Sequence, residues 1–373
     1  MQRGLALIRD LDMYGKDIVL TYEGDDKYRT HVGGLASIFV KGILVIYVTY
    51  LFYVMFTKGD SSVSVSTLIN DVTKDVEILK PAKDGFDFAF SYTGSGVDYL
   101  IDPTYFKFTI QQVEQIWNNG TGTSSTSRNK TDIPYAKCGN NFAHEDQDEV
   151  RSLGIDDYYW PTTDEYSVAG TYYAQNFNYI EIKISKCTSG AWKTNTEIEE
   201  AMKDARFTMA IENSVVDMQD YTKAIKGIID DGYYWELVPG IRKKADIFIR
   251  KNQAEFEDNY VQLGFPEIKE FYQVADTSDS FESESSDGEI LSLYFRYDKI
   301  SETYGRQIFS LAELLGQAGG FYGALLAIGS VLIFIFSERL FVASILRKIY
   351  QIDTWQETER CKNKNSSSIR PHR

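Results

Sequence analysis

The stretch LLGQAGGFYGALLAIGSVLIFIF, residues 314–336, decides the architecture of this chain. It carries no charged side chain, and as an α-helix its 23 residues run about 35 Å against a bilayer hydrocarbon core of about 30 Å. Soluble proteins seldom bury so long and uniform a segment, so the reading is a membrane span. Working outward, a second such stretch, LASIFVKGILVIYVTYLFYVMF at residues 35–56, has Lys41 as its one charge. A lysine near the end of a span brings its ammonium to the headgroups while its stem stays in hydrocarbon. Tyr47, Tyr50, Phe52, Tyr53 and Phe56 crowd the other end, as an interfacial aromatic belt does.

The charge distribution orients these spans. Residues 1–41 balance six acids against six bases, and residues 337–373 carry eight bases against four acids, so the net −15 leaves −19 for the middle. Nucleic-acid binding needs a basic face to displace counterions, and this acidic balance excludes that class. Lys27, Arg29 and Lys41 flank the first span and Arg339, Arg347 and Lys348 follow the second, which by the positive-inside rule puts both termini in the cytosol. The polar first thirty residues contain no apolar leader, so the first span is expected to act as a signal anchor. The expected organisation is a cytosolic segment at 1–34, spans at 35–56 and 314–336, a luminal or extracellular domain at 57–313, and a basic tail at 337–373. Asn119 and Asn129 head glycosylation sequons in the outer region.

Period-two alternation marks that region as mainly β. Phe86, Phe88 and Phe90 alternate with polar neighbours, as do Ile180, Ile182 and Ile184, then Phe207, Met209 and Ile211, then Leu291, Leu293, Phe295 and Tyr297. Further strands are expected at 105–113, 233–238, 245–251 and 270–275. Helices are fewer: one capped by Thr196, and a short one in TKAIKGIID at 222–230. The fold class is therefore two transmembrane helices plus a large, mainly-β, sandwich-like domain with some α. Three polar runs read as solvated loops: 118–131, HEDQDE at 144–149, and DTSDSFESESSDGE at 276–289. The aromatic clusters 158–160, 172–173 and 233–235 are either core or the lining of a ligand groove. Cys138 and Cys187 either close a disulfide loop of about 50 residues or remain two thiols.

Nothing in the sequence organises catalysis. The outer region holds one histidine, His144, and there is no phosphate-binding glycine loop, nucleophile elbow or HExxH helix. Three cysteines and three histidines, scattered, do not build a metal site. No catalytic residue, metal or cofactor is expected. The second span instead opens with Gly316, Gly319, Gly320 and Gly323, whose four-residue spacings put small residues on one side of the helix, where another helix can approach closely. The first span or a further subunit can take that place, giving a homo- or hetero-oligomer.

LDMYGK at 11–16 and YRTHVGGLASIF at 28–39, together with the closing run LYFRYDKISETYGRQIFSLAELLGQAGGFYGALLAIGSVL, resemble the two ends of the ERGIC/Erv family of cargo receptors. The matching positions include Leu293-Tyr294 and Gly319-Gly320. The resemblance implies two spans, cytosolic ends, a luminal β-sandwich that binds protein ligands, and traffic between endoplasmic reticulum and Golgi. DYYWP, KISKC and SERLFVASILRKIYQI are similar to an uncharacterised group of two-span ciliate proteins. The rival readings are a subunit of a two-span oligomeric cation channel, with Glu313 as the candidate acid at its mouth, and a surface structural or adhesion protein. Residues 338–350 form a basic amphipathic helix expected to lie along the inner leaflet, with Arg339, Arg347 and Lys348 near anionic lipids.

Overall fold

The computed structural model describes residues 31–74, 77–94, 103–118, 125–187, 193–284 and 287–350. Asn119, Cys361, the LDMYGK motif and the end of the tail lie outside the described residues. The chain divides into two units: a helical one from residues up to Gly59 and from Phe309 onward, and a β domain, Asp60–Ile308.

The helical unit pairs α1 (His31–Thr57) with α4 (Leu311–Ile349). Leu51 and Met55 of α1 bury against Phe309 and Leu314, with Tyr47, Val54 and Ala318 packed around them. The Tyr47 hydroxyl donates to Gln317 Oε1 over 3.4 Å, and its ring lies 4.4 Å from that of Phe321. Beyond this seam Leu35, Ile46, Leu315 and Ile328 are exposed. A soluble core helix would be covered; these two are long, apolar and almost wholly uncovered, as spans solvated by lipid are.

A capping box starts α4. Ser310 accepts from Glu313 N, and the Glu313 carboxylate accepts from Ser310 N at 2.8 Å. The helix therefore begins three residues before the apolar stretch. It then runs unbroken to Ile349, so residues 338–350 continue the same helix and are not a separate element. No glycine or proline falls between Phe336 and Tyr350 to break it. At 39 residues it is about 58 Å long, well beyond one bilayer core.

The β domain is a two-sheet structure. An eight-stranded sheet runs β1 (Ser61–Ile69), β13 (Ile300–Ile308), β10 (Ile241–Glu257), β12 (Glu289–Tyr297), β7 (Asn176–Lys186), β3 (Phe106–Asn118), β4 (Ser125–Asp132), with β11 (Glu267–Ser283) also paired to β10. A five-stranded sheet runs β5 (Tyr135–Lys137), β6 (Tyr159–Pro161), β2 (Phe88–Thr93), β8 (Arg206–Val216), β9 (Ile225–Glu236). Between them lies one core: Phe88, Phe90, Phe207, Met209 and Ile211 from the smaller sheet, and Ile180, Ile182, Ile184, Ile247, Leu293 and Phe295 from the larger. These are the alternating sets read from the sequence.

Along one edge, β10 changes partners. Its first half pairs in parallel with β12 and its second half in parallel with β13. Buried side chains fill the gap in the ladder: Arg250 donates to Asp298 (2.9 Å) and Glu302 (3.0 Å), and Asn252 Oδ1 accepts from Glu302 N at 2.9 Å.

Four local expectations change. TKAIKGIID is not a helix: Ile225, Ile228 and Ile229 lie in β9, paired along β8, where β-branched side chains suit the sheet. The helix expected after Thr196 is α3 (Asn195–Met202), capped two residues earlier by Thr194 in a box with Glu197. The acidic serine run is the second half of β11 as far as Ser283, paired with Lys243 and Lys244 among others. Residues 125–132 of the sequon-bearing run form β4 rather than a loop.

Candidate functional site

The glycine face of α4 is open. A Cβ built on Gly316, Gly319, Gly320 or Gly323 meets nothing within 4 Å. At 100° per residue these four cluster roughly 160° around the helix from Leu314, Gln317, Ala318 and Phe321, the face that meets α1. The first span is thus not the partner of the glycines.

A second feature escaped sequence reading. On β2 and β8 the positions alternating with the core, Ala89 and Ala210, face away from it, and Asp87 and Glu212 extend that row. Cys138, Phe142, Val150 and Ile155 cover this outer face. The covering segment includes α2 (Gln147–Ser152), capped by Asp146, whose carboxylate accepts from Asp148 N at 2.9 Å. HEDQDE is solvated at Glu145, Asp146, Asp148 and Glu149, as expected, but its last three residues are helical and His144 is buried. His144 is buried, with Nδ1 2.9 Å from Glu212 Oε2 and Nε2 3.1 Å from Glu149 Oε2. Asp87 accepts from Phe88 N (2.8 Å) and Ala143 N (3.1 Å). Gly227 of β9 makes room for the cluster, since a Cβ there would stand 2.0 Å from Glu212 Oε1.

Burial pushes the Asp87 carboxyl up to about 7, against the pull of its two backbone N–H donors. Burial also raises Glu212 to about 7, opposed by its bond to His144. The cluster is a set of coupled proton sites. His144 bridges the Glu212 and Glu149 carboxyls, with one ring nitrogen within hydrogen-bond reach of each. His144 and Glu212 are buried beneath the segment that covers this face.

Of the two readings of Cys138 and Cys187, the structure has two thiols and no bridge between them. Cys138 is buried under the smaller sheet, while Cys187, at the end of β7 in the larger one, donates to the Pro103 carbonyl at 3.2 Å. A separation of about 50 residues permits a bridge but does not place two cysteines on one edge, and here they follow strands of different sheets. Burial raises the Cys138 thiol to about 11, which leaves it little thiolate at neutral pH. In folded protein, maleimide is expected to modify Cys187 and to spare Cys138 until denaturant is added. Failure of both to label after unfolding without reductant would restore the bridge.

Of the remaining residues, Asn129 is exposed on β4, which among the described residues pairs with β3, and so can carry a glycan. Arg339 and Arg347 are exposed on α4; the Lys348 side chain lies outside those described. Tyr159 and Trp235 are core, whereas Tyr172 and Tyr173 are exposed beside Trp117, whose indole donates to the Tyr172 carbonyl at 2.8 Å. Among the described residues no group of three or more His, Cys, Asp or Glu is arranged to hold a metal ion.

A sequence profile described as "Uncharacterised 80 kDa protein N-terminal domain" matches residues 87–298. No curated protein matches. Solved structures that match weakly include a proton-activated chloride channel (9% identity, TM-score 0.32, 85% of this chain and 98% of that one). Others are Erv41p (9%, 0.24, 65% and 99%) and a P2X receptor from the Gulf Coast tick (9%, 0.13, 82% and 99%). At these scores none of the three carries an argument about what this chain does.

Proposed function

The chain belongs to the family of the uncharacterised 80 kDa protein N-terminal domain, and from its own residues we propose that it is a non-enzymatic two-span membrane receptor or scaffold of the secretory pathway. Both termini are cytosolic in this reading, and the β domain binds protein ligands on the luminal side, with Tyr172 and Tyr173 as exposed aromatic contacts. The observation that carries the proposal is the open glycine face of α4, turned away from α1. Small residues at four-residue spacing let a second helix come close, and packing then drives association in lipid. The oligomer, homomeric or with a related chain, forms through Gly316, Gly319, Gly320 and Gly323. In the cation-channel alternative Glu313 is the candidate acid at the mouth, held at the helix start by the capping box.

Gly320→Leu in the full chain, solubilised in mild detergent, is expected to dissociate the oligomer on a native gel. Gly329→Leu, nine residues on and about 180° around the helix, is expected to leave it intact. An unchanged oligomer in Gly320→Leu, or a monomeric native chain, would sink the proposal.

A further inference from the structure

The tip of the β10–β11 hairpin, residues 258–266, exposes a run of apolar side chains: Val261 at 60%, Leu263 at 76% and Phe265 at 85%. Ile268, just past the tip, is exposed as well. Such a concentration on one turn needs an explanation, since scattered apolar residues are ordinary on a protein surface and contiguous ones are not.

Register supplies it. β10 and β13 run in parallel, with Glu257 opposite Gln307. β13 ends at Ile308, and two residues later Ser310 caps α4, whose apolar window opens at Leu311. Both strands head the same way, so the residues after Glu257 project past the end of the sheet at which the chain leaves for the membrane. β1 brings the other connection to the same end, because Ser61 pairs with Ile308 only four residues after α1 stops.

Side chains tie the tip to that exit. Gln262 donates to the Ile308 carbonyl at 2.8 Å and accepts from Gln307 at 2.7 Å, and Arg306 holds Asp258 at the base of the turn. From Ile308 to Leu311 the backbone spans at most about 10 Å. The headgroup layer on each side of the hydrocarbon is roughly 5–8 Å thick. The tip is thus tethered to Ile308, three residues before the apolar window opens.

We infer that this hairpin inserts Val261, Leu263 and Phe265 into the headgroup–acyl boundary of the bilayer that α4 enters, so that the β domain holds the membrane at a third point. The acids beside the tip are Glu257, Asp258 and Glu267, and bases pair with two of them, Arg306 with Asp258 and Lys269 with Glu267, so the tip presents no basic patch. Insertion is therefore apolar and does not depend on anionic lipid.

The test uses the full chain in phosphatidylcholine vesicles, with Cys187→Ser and Cys361→Ser and the buried Cys138 retained. An environment-sensitive fluorophore is attached at Leu263→Cys, at Phe265→Cys, or at Phe281→Cys. Phe281 is the control, because it is 80% exposed but pairs with Lys243, fourteen residues before Glu257 and about 45 Å along the strand. All three positions are exposed, so the substitutions cost the fold little. Blue-shifted emission at 263 and 265, quenched by shallow spin-labelled phosphatidylcholine, with 281 red and unquenched, is the expected result. Three outcomes overturn the inference. Probes at 263 and 265 behaving like 281 would leave the tip in water. A blue shift without lipid quenching would mean that a second copy or another protein surface covers it. Quenching only after anionic lipid is added would mean electrostatic contact in place of insertion.

Discussion

Arg306→Met is expected to destabilise the β domain by about 3–5 kcal/mol, the usual cost of removing one partner of a buried, hydrogen-bonded charge pair. Arg306 is 2% exposed on β13, and its guanidinium is nearly saturated. Nε and Nη2 donate to the two Asp258 oxygens at 3.0 and 2.5 Å, and Nη1 donates to the carbonyls of Met218 (3.2 Å) and Asp220 (2.8 Å). The rings of Tyr221 and Phe256 lie 4.3 and 4.7 Å from its central carbon. Methionine fills comparable space but leaves two carbonyls and a carboxylate without donors. For a domain of this size the loss is a fall in melting temperature of roughly 10 °C.

The size of that effect is a property of the pair, and a second variant separates it from simple packing. Arg306→Met with Asp258→Leu removes the stranded carboxylate and is expected to recover a large part of the loss. Thermal melts of the full chain followed by circular dichroism give both numbers. A single variant within about 1 kcal/mol of the native chain, or a double variant no better than the single, would show that the guanidinium is not what holds β13, the 217–224 turn and the hairpin base together.

The spans and the strand sets were legible because their causes are local. A bilayer dictates the length and composition of 314–336, and a half-buried strand dictates the alternation at 86–90, 180–184 and 291–297. What could not be read depends on partners distant in sequence. TKAIKGIID has the look of a helix until β8 supplies a ladder for Ile225, Ile228 and Ile229. HEDQDE reads as a solvent-facing run, and its acids are exposed, but His144 at its head turns inward to meet Glu212, 68 residues away. One signal was present. Asp87 sits inside the apolar run GFDFAF, and Glu212 follows TMAI, each on the strand face opposite the core. A lone acid in such a position is either edge solvation or a buried titrating group, and only the covering segment decides which. The glycine stripe was legible as a small-residue face, but which helix it would meet was not, because the choice falls to Tyr47, Leu51 and Met55 on a helix more than 250 residues earlier.

The acid–histidine cluster makes a definite pH prediction. Asp87 and Glu212 ordinarily titrate near 3.8 and 4.5, and in the folded domain both rise to about 7. The folded state therefore holds protons that the unfolded chain has released. Stability from these groups is fully present below about pH 4 and is lost as pH rises toward 7. Each shift corresponds to roughly 3–4 kcal/mol as an upper bound, and the two carboxyls share one site, so the combined effect is a few kcal/mol. Opposing carboxylates do not cancel it in this window, since Asp220, lowered to about 2 mainly by the Lys223 and Thr222 N–H groups, loses its contribution only at lower pH. The other groups facing the cluster are His144, Glu149 and Cys138. The native β domain should unfold less readily at pH 5.5 than at pH 8. Glu212→Gln keeps the shape and a hydrogen bond to His144 but removes the ionisation, so it should flatten about half of that slope while raising stability at pH 8. Asp87→Asn should take away most of what remains. A wild-type stability that is level or rising between pH 5.5 and 8, or a Glu212→Gln slope equal to the native one, would mean that these carboxyls are not held up by burial. The cluster would then be an ordinary ion pair, and the domain would carry no proton response of its own.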